Sequence, residues 1–306
     1  MQTTLKSAIG FQGQGLHSGR PSRLTIHPAS ASYGIWFRRS DVLDGDAMIP
    51  ARYHAVPQSP LCTRLVNADG VEVSTVEHVM AALAGCGIHN ALIEIDGPEV
   101  PILDGSAAPF VKKIIASGVR VLDVPVHAIE VLRQVHVQNG ESRASLSPAE
   151  TLEIDFAIDF DEAAIGAQHK VLRLNNGTFV RELCNSRTFC RAKDVDAMRA
   201  QGLALGGTYD NAVVVSGEKV LSPGGLRHSD EAVRHKMLDA LGDLALAGAP
   251  ILGRYTGVRA GHALTNSLLR ALFADPLAYR IVTCTSEQCR LLPGAGLMQD
   301  DLTLVA

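Results

Sequence analysis

At 306 residues, 46% of them apolar and 20% charged, the chain is long enough for two domains or one large one and too apolar to be disordered. A formal net charge of −4 with no basic block argues against nucleic-acid binding, and no run approaches the ~18 apolar residues that would span a bilayer. The first residues lack the apolar stretch of a secretory signal, and six scattered cysteines form no Cys-x-x-Cys pair, so free thiols in a reducing cytoplasm are the expectation.

Residues 1–66 read mainly as β. Arg23-Leu24-Thr25-Ile26-His27-Pro28 and Gly34-Ile35-Trp36-Phe37-Arg38 are short runs closed by turn residues. Before them, Gly13-Gln14-Gly15-Leu16-His17-Ser18-Gly19 is a glycine-rich loop with one histidine, by itself an ordinary surface residue. Val71-Glu72-Val73 is a short strand, and residues 74–85 then form a helix ending at Gly85. Ser74 and Glu77 fit a capping box with Glu77 at the third helical position, and His78 fits a core histidine. Neither reading explains an acid and an imidazole side by side at the start of an otherwise apolar helix.

Residues 90–97 are a strand into a turn. Ser106 is the expected N-cap of a helix reaching about Gly118, and a fresh β run opens at His127-Ala128-Ile129-Glu130-Val131. The boundary falls there, giving one α+β unit over 1–126 and another over 127–306. In the second, Leu152-Glu153-Ile154-Asp155-Phe156-Ala157-Ile158-Asp159-Phe160 alternates as a strand should. A helix-like stretch at 194–201, a glycine-rich loop at 202–207 and the strand Ala212-Val213-Val214-Val215 follow. Residues 233–244 make a helix, and another runs from the Gly261-His262 turn to Ala274.

On the 233–244 helix, His235, Asp239 and Asp243 stand four apart and so share one face. Such a row is ordinarily a solvated stripe. Here Met237, Leu238, Leu241 and Leu244 leave little other polar surface, so the row faces a cleft or another domain, where buried charge needs a partner such as a metal ion. An imidazole and a carboxylate one turn apart can share a divalent metal, but a catalytic zinc site wants a third protein ligand.

That ligand comes from an internal repeat. Val76-Glu77-His78 aligns with Val233-Arg234-His235, and each histidine precedes the turn into a later helix, at Gly105 and His262, by the same interval. Two copies packed helix to helix bring His78 to His235 and Asp239, a two-histidine, one-carboxylate set suited to Zn²⁺ with a position open for water. Glu77, beside a ligand, is then placed as general base. Asp243 can hold His262 protonated as general acid, Lys236 offers a cation, and the Thr188 hydroxyl can steady an oxyanion. The reaction class is metal-assisted hydrolysis of an amide or ester.

These residues also resemble a family. Ser74-x-x-Glu77-His78, Gly15-Leu16-His17-Ser18-Gly19, Asp104-Gly105-Ser106-Ala107-Ala108-Pro109-Phe110, Arg187-Thr188-Phe189, Gly225-Leu226-Arg227, His235-Lys236-x-x-Asp239-x-x-Gly242-Asp243-Leu244 and Gly261-His262-Ala263 follow the order of the UDP-3-O-acyl-N-acetylglucosamine deacetylases, zinc amidases of lipid A biosynthesis in Gram-negative bacteria. The resemblance covers about Gln2 to Leu272. It implies zinc on His78, His235 and Asp239, with Glu77 as base and His262 as acid supported by Asp243. Thr188 would stand at the oxyanion and Lys236 near the substrate. It implies two similar α+β domains whose paired helices are sandwiched between their sheets. It implies an insert at about 191–214 whose Leu203, Ala204, Tyr209 and Val214 line a passage for the acyl chain. Phe189, His17 and Cys62 complete the expected substrate contacts, Cys62 near the metal without ligating it.

The chain departs from the family's pattern at Cys190-Arg191, where Gly-Phe is expected, at His89 in place of Asp, and at Ala232 in place of Phe. These put the acyl-chain preference in doubt but touch no expected ligand. The expectation is a monomeric zinc hydrolase that removes acetate from an acylated UDP-amino sugar, with iron as the other metal the ligands accept. The rivals are a silent nucleotide-sugar binder, which would need neither base nor acid, and a zinc amidase for another acylated sugar.

Overall fold

The computed structural model describes residues 1–57 and 61–302. Seven helices order the description: α1 (Glu77–Gly85), α2 (Ala108–Ser117), α3 (Thr178–Glu182), α4 (Ala192–Ala200), α5 (Glu231–Ala245), α6 (His262–Ala274) and α7 (Ser286–Leu291). The four that carry the architecture fall in two pairs, α1 with α2 and α5 with α6, each with its own sheet.

The first sheet has the strand order Ile9–Gln14, Pro21–Pro28, Ala91–Ile95, Ile35–Arg39, Met48–Pro50. Its pairings run antiparallel, antiparallel, parallel, antiparallel. In the second, Val135–Asn139, Ser142–Ser147, Ile251–Val258, Leu152–Asp159 and Ala167–Arg173 pair in the same sequence of senses. The repeat inferred from spacing is therefore a repeat of topology. The second sheet is extended by His127–Val131, which pairs with the start of Ile251–Val258, and by Tyr279–Thr283 at its edge.

The alternation of Leu152–Asp159 is realised: Leu152, Ile154, Phe156 and Ile158 are buried and their neighbours are not. That inward face carries α5, while α6 lies on the Val135–Asn139 and Ser142–Ser147 strands; in the other half α2 lies on Ile9–Gln14. α1 joins the halves. It packs on α2 and, far more extensively, on α5. Every residue of α1 from Glu77 to Leu83 is buried, as befits a helix apolar on all sides. The order is thus sheet, helices, helices, sheet, an α+β fold with one main core spanning both halves and a small separate cluster around Val126, Ala128, Leu252 and Leu292.

The insert forms its own three-stranded sheet. Phe189–Arg191 runs parallel to Val213–Ser216, which pairs with Lys219–Val220, and α4 packs against the first two. The tail crosses back over the outer ends of the helices. Residues 292–294 bond to Asn176, and Gly294 lies so close to Cys86 and Gly87 that a Cβ would sit 2.2 Å from the backbone there. Residues 303–306 of the expected second unit lie outside the described residues.

Candidate active site and metal centre

α5 is unbroken through residues 231–245, so His235, Asp239 and Asp243 project in one row, all nearly inaccessible. α1 begins opposite that row. The expected capping box does not form: Ser74 ends a strand, its hydroxyl donates to the Pro98 carbonyl, and Glu77 is the first helical residue, behind a Val76 N-cap that makes no side-chain bond. The strand Glu72–Ser74 pairs with Arg64–Val66 and claims Ser74 before the helix can. Ser106 is likewise not the N-cap of α2, which is Ala107, although its hydroxyl accepts from the Ala108 N–H at 3.2 Å.

Freed from capping, Glu77 faces the site. Its Oε2 accepts the backbone N–H of Thr63 at 3.1 Å, and Oε1 lies 3.8 Å from His262 Nε2. The Thr63 hydroxyl donates to Asp243 Oδ1, and Asp243 Oδ2 takes His262 Nδ1 at 2.9 Å. One threonine thereby fixes both carboxylates.

His78 and His235 meet edge to face, ring centroids 5.1 Å apart. Their Nε2 atoms lie 3.7 and 3.3 Å from Asp239 Oδ1, and one ligand atom from each residue falls within 4.8 Å of the others. His235 Nδ1 is 3.0 Å from the Ser186 carbonyl, so Nδ1 carries the proton and Nε2 presents a lone pair. Burial lowers both imidazoles below the usual histidine range, His78 to about 3, so the His78 ring is neutral. Burial pushes the other way on Asp239, but His235 and Lys236 outweigh it and hold the carboxylate ionised. Asp239 Oδ2 takes Lys236 Nζ at 2.6 Å, yet buried Oδ1 has no hydrogen-bond partner. Lone pairs converging on one another repel unless a cation sits among them. The three residues fit a divalent metal.

Burial raises Glu77 to about 7, against the pull of His262 and with the push of Asp239 and Asp243. His262 goes the opposite way to a buried histidine: desolvation is overcome by Asp243 and Glu77, and it rises to about 9. A carboxylate poised near neutrality and an imidazolium stable past it are the two halves of acid–base catalysis. Lys236 is pulled down by burial but held above its ordinary value chiefly by Asp239.

A cavity of about 410 Å³ opens from this centre. Its wall includes Glu77, His78, His235, Asp239, His262, His17 and Thr188 at one end, and Phe189, Ala204, Tyr209 and Val214 with Val195 and Met198 along the insert. Leu203 is not in the wall; its N–H closes the end of α4 on the Met198 carbonyl, which turns the residue aside. Lys236 and Asp243 stand behind the wall, bonded to Asp239 and His262 within it, so Lys236 does not reach the cavity as expected. Cys62 is also behind it, a buried thiol raised to about 12 by burial and by nearby Glu77, hence unreactive. Of the departures, Cys190 is in the passage wall, while His89 lies elsewhere, its Nδ1 on Thr3.

Several contributors carry no sequence signal. Glu99 accepts from the backbone of His17 and Ser18 and from the Thr75 hydroxyl, holding two loops together, and Thr75 takes a left-handed φ of 57° just before Glu77. Gly105 (φ 83°) lies against Asn211, where a Cβ would come 2.0 Å from its carbonyl oxygen, and its own carbonyl accepts the Thr188 N–H at 2.8 Å. Buried Arg187, next to Thr188, is paired with buried Glu231 at 2.9 Å.

Residues 2–274 match the family described as UDP-3-O-acyl N-acetylglycosamine deacetylase. The chain belongs to that family. A UDP-3-O-acyl-N-acetylglucosamine deacetylase of Phenylobacterium zucineum is 48% identical over 286 residues, covering 94% of this chain and 98% of the relative. Proteins of the same name from Anaeromyxobacter sp. and Photobacterium profundum are 46% and 43% identical, each over 94% of this chain, with 93% and 95% of the relative covered. The family's members are deacetylases, hydrolases of an amide bond. Among the described residues no helix is long and apolar enough to cross a membrane.

Proposed function

We propose that this deacetylase removes the N-acetyl group of a UDP-3-O-acyl-N-acetylglucosamine, releasing acetate and the free amine, an early step toward lipid A, and that it does so as a cytoplasmic monomer with Zn²⁺ on His78, His235 and Asp239. The carrying observation is the opposed pair above that metal set: Glu77 raised to about 7 and His262 to about 9, 3.8 Å apart. A binding protein would need neither.

A zinc ion there would supply Lewis acidity, lowering the pKa of water toward ~7 and polarising the acetyl carbonyl. Glu77, with Oε2 tied to Thr63, keeps Oε1 toward the cavity to take the proton from the attacking water. The Thr188 hydroxyl, in the same wall, donates to the carbonyl oxygen as it gains charge. His262, protonated and aligned by Asp243, gives its proton to the departing amine nitrogen. Lys236 pairs with Asp239 from behind the wall, and His17, in the wall, borders the substrate. The acyl chain lies along Phe189, Ala204, Tyr209 and Val214. A domain division at 126/127 would put one ligand-bearing helix in each unit, α1 with His78 in the first and α5 with His235 and Asp239 in the second.

Acetate release from the 3-O-acylated UDP-sugar, compared with the unacylated one, tests the reading. Turnover of the acylated substrate only, lost on chelation and restored by Zn²⁺, is expected; equal turnover of both would remove the acyl passage from the proposal.

A further inference from the structure

A second cavity, of about 290 Å³, lies between the halves at the other end of α1 and α5. Met80 and Leu83 of α1 and Leu241 and Leu244 of α5 are among its apolar lining. No residue of the metal centre reaches it. From Asp239 to Ala245 is six residues, roughly 9 Å along α5 at ~1.5 Å per residue, so the two cavities share a helix pair but not a wall.

One charged side chain lines this apolar space. Arg52 makes no ion pair among the described residues, and burial lowers its guanidinium. Its single side-chain hydrogen bond is long, Nη1 to the Ala247 carbonyl at 3.3 Å. The guanidinium is lodged between glycines of the two halves: a Cβ on Gly248 would fall 1.2 Å from Nη1, and one on Gly34 3.5 Å from Nη2. Both glycines have left-handed φ, 85° and 74°. Of the neighbouring polar groups, Asn90 is taken by Gly34 and Gln2, and His89 by Thr3. A planar fork of five donors with one weak acceptor, beside an apolar floor, matches a carboxylate on an apolar body.

We propose that this interdomain cavity binds an amphipathic monocarboxylate, its carboxylate on Arg52 and its apolar part against Met80, Leu83, Leu241 and Leu244. The site is separate from the acyl passage and independent of the deacetylase reaction.

Octanoate is the probe, titrated calorimetrically into the full chain, with octanol as the uncharged control. Saturable one-to-one binding is expected, at least tenfold tighter than octanol, at least tenfold weaker in Arg52→Met, and unchanged in Val214→Trp, which blocks the acyl passage. Ala84→Leu narrows the cavity from α1 without touching Arg52, and it should weaken binding even if Arg52→Met folds poorly. Absence of binding at millimolar octanoate, loss of binding in Val214→Trp, or equal affinity in the wild type and the Arg52→Met and Ala84→Leu variants would overturn the proposal and leave Arg52 as a strut on the end of α5.

Discussion

Asp243 Oδ2 lies 2.9 Å from His262 Nδ1, and this contact sets the charge of the residue assigned as acid. His262 is raised to about 9 because Asp243 and Glu77 outweigh burial. Activity that needs the imidazolium is complete below that value and is lost as pH rises through it. Asp243→Asn keeps the shape but removes the charge, so the basic limb of the kcat/KM profile should move down by a unit or more. His262→Ala should lower kcat by ~10²–10⁴-fold with metal content unchanged. A profile with the same basic limb in Asp243→Asn would mean that another group donates the proton.

Glu77 acts in the opposite sense. As the proposed base it would work as the carboxylate, so activity should rise with pH through its pKa. Burial sets that near 7, and a bound cation would draw it lower. Glu77→Gln is isosteric and cannot accept a proton; a ~10²–10⁴-fold loss in kcat is expected, with metal retained by elemental analysis. Full activity would clear Glu77 of the role of base.

Removing the metal should expose the repulsion among His78, His235 and Asp239. Chelation is expected to lower the melting temperature and Zn²⁺ to restore it, since a ligand bound only by the native state stabilises it. Asp239→Ala should contain substoichiometric metal and show no such shift on adding Zn²⁺. It also leaves Lys236 without its carboxylate partner. A melting temperature indifferent to metal in the wild type would count against the three-ligand site.

Arg187 and Glu231 form a buried pair behind Thr188. Breaking it strands a charge, so Glu231→Gln should destabilise by about 3–5 kcal/mol. Burial tends to raise the Glu231 carboxyl, but Arg187 and the N–H groups of Arg187 and Arg227 overcome this and hold it below its ordinary value. The contribution is therefore present above the ordinary glutamate pKa and lost as pH falls below it. Denaturant midpoints from pH 7 to pH 4 should fall more steeply in the wild type than in Glu231→Gln.

What the sequence reveals here is what repeats or recurs at short range. The row on α5 follows from i, i+4 spacing, and His78 was placed beside it by a repeat that reappears as duplicated strand pairing. The capping box misled because Ser74 and Glu77 have the right spacing; only pairing with Arg64–Val66 and the bond to Pro98 decide that Ser74 is strand. Thr63 and Glu99 could not be read at all. Their partners, Asp243 and His17, are 180 and 82 residues away, and a threonine or glutamate in a loop has no pattern that predicts such a bond. Leu203 is as apolar as the residues of the cavity wall, and apolar character cannot tell a wall from a helix end.

Gly242 tests how closely the two halves must approach. It is the one glycine in α5, and a Cβ there would lie 2.1 Å from the Glu77 carbonyl oxygen and 3.1 Å from its Cα. Alanine in a helix interior is ordinarily better than glycine by ~1 kcal/mol. Here the contact is backbone, which cannot swing aside, so α1 must move off α5. Overpacking of this kind costs about 1–3 kcal/mol, enough to offset the gain in helix propensity. The larger consequence is local. α1 carries Glu77 and His78 at the crossing, while α5 carries His235 and Asp239, so displacement would stretch the triangle of His78, His235 and Asp239 and shift Glu77, the proposed base, away from it. Gly242→Ala should lose metal affinity and kcat together while keeping most of its stability. Ala240→Gly, on the same helix but away from the crossing, should lose stability without that loss of metal. If Gly242→Ala bound metal and turned over like the wild type, close approach of α1 and α5 at this point would not be what aligns the site.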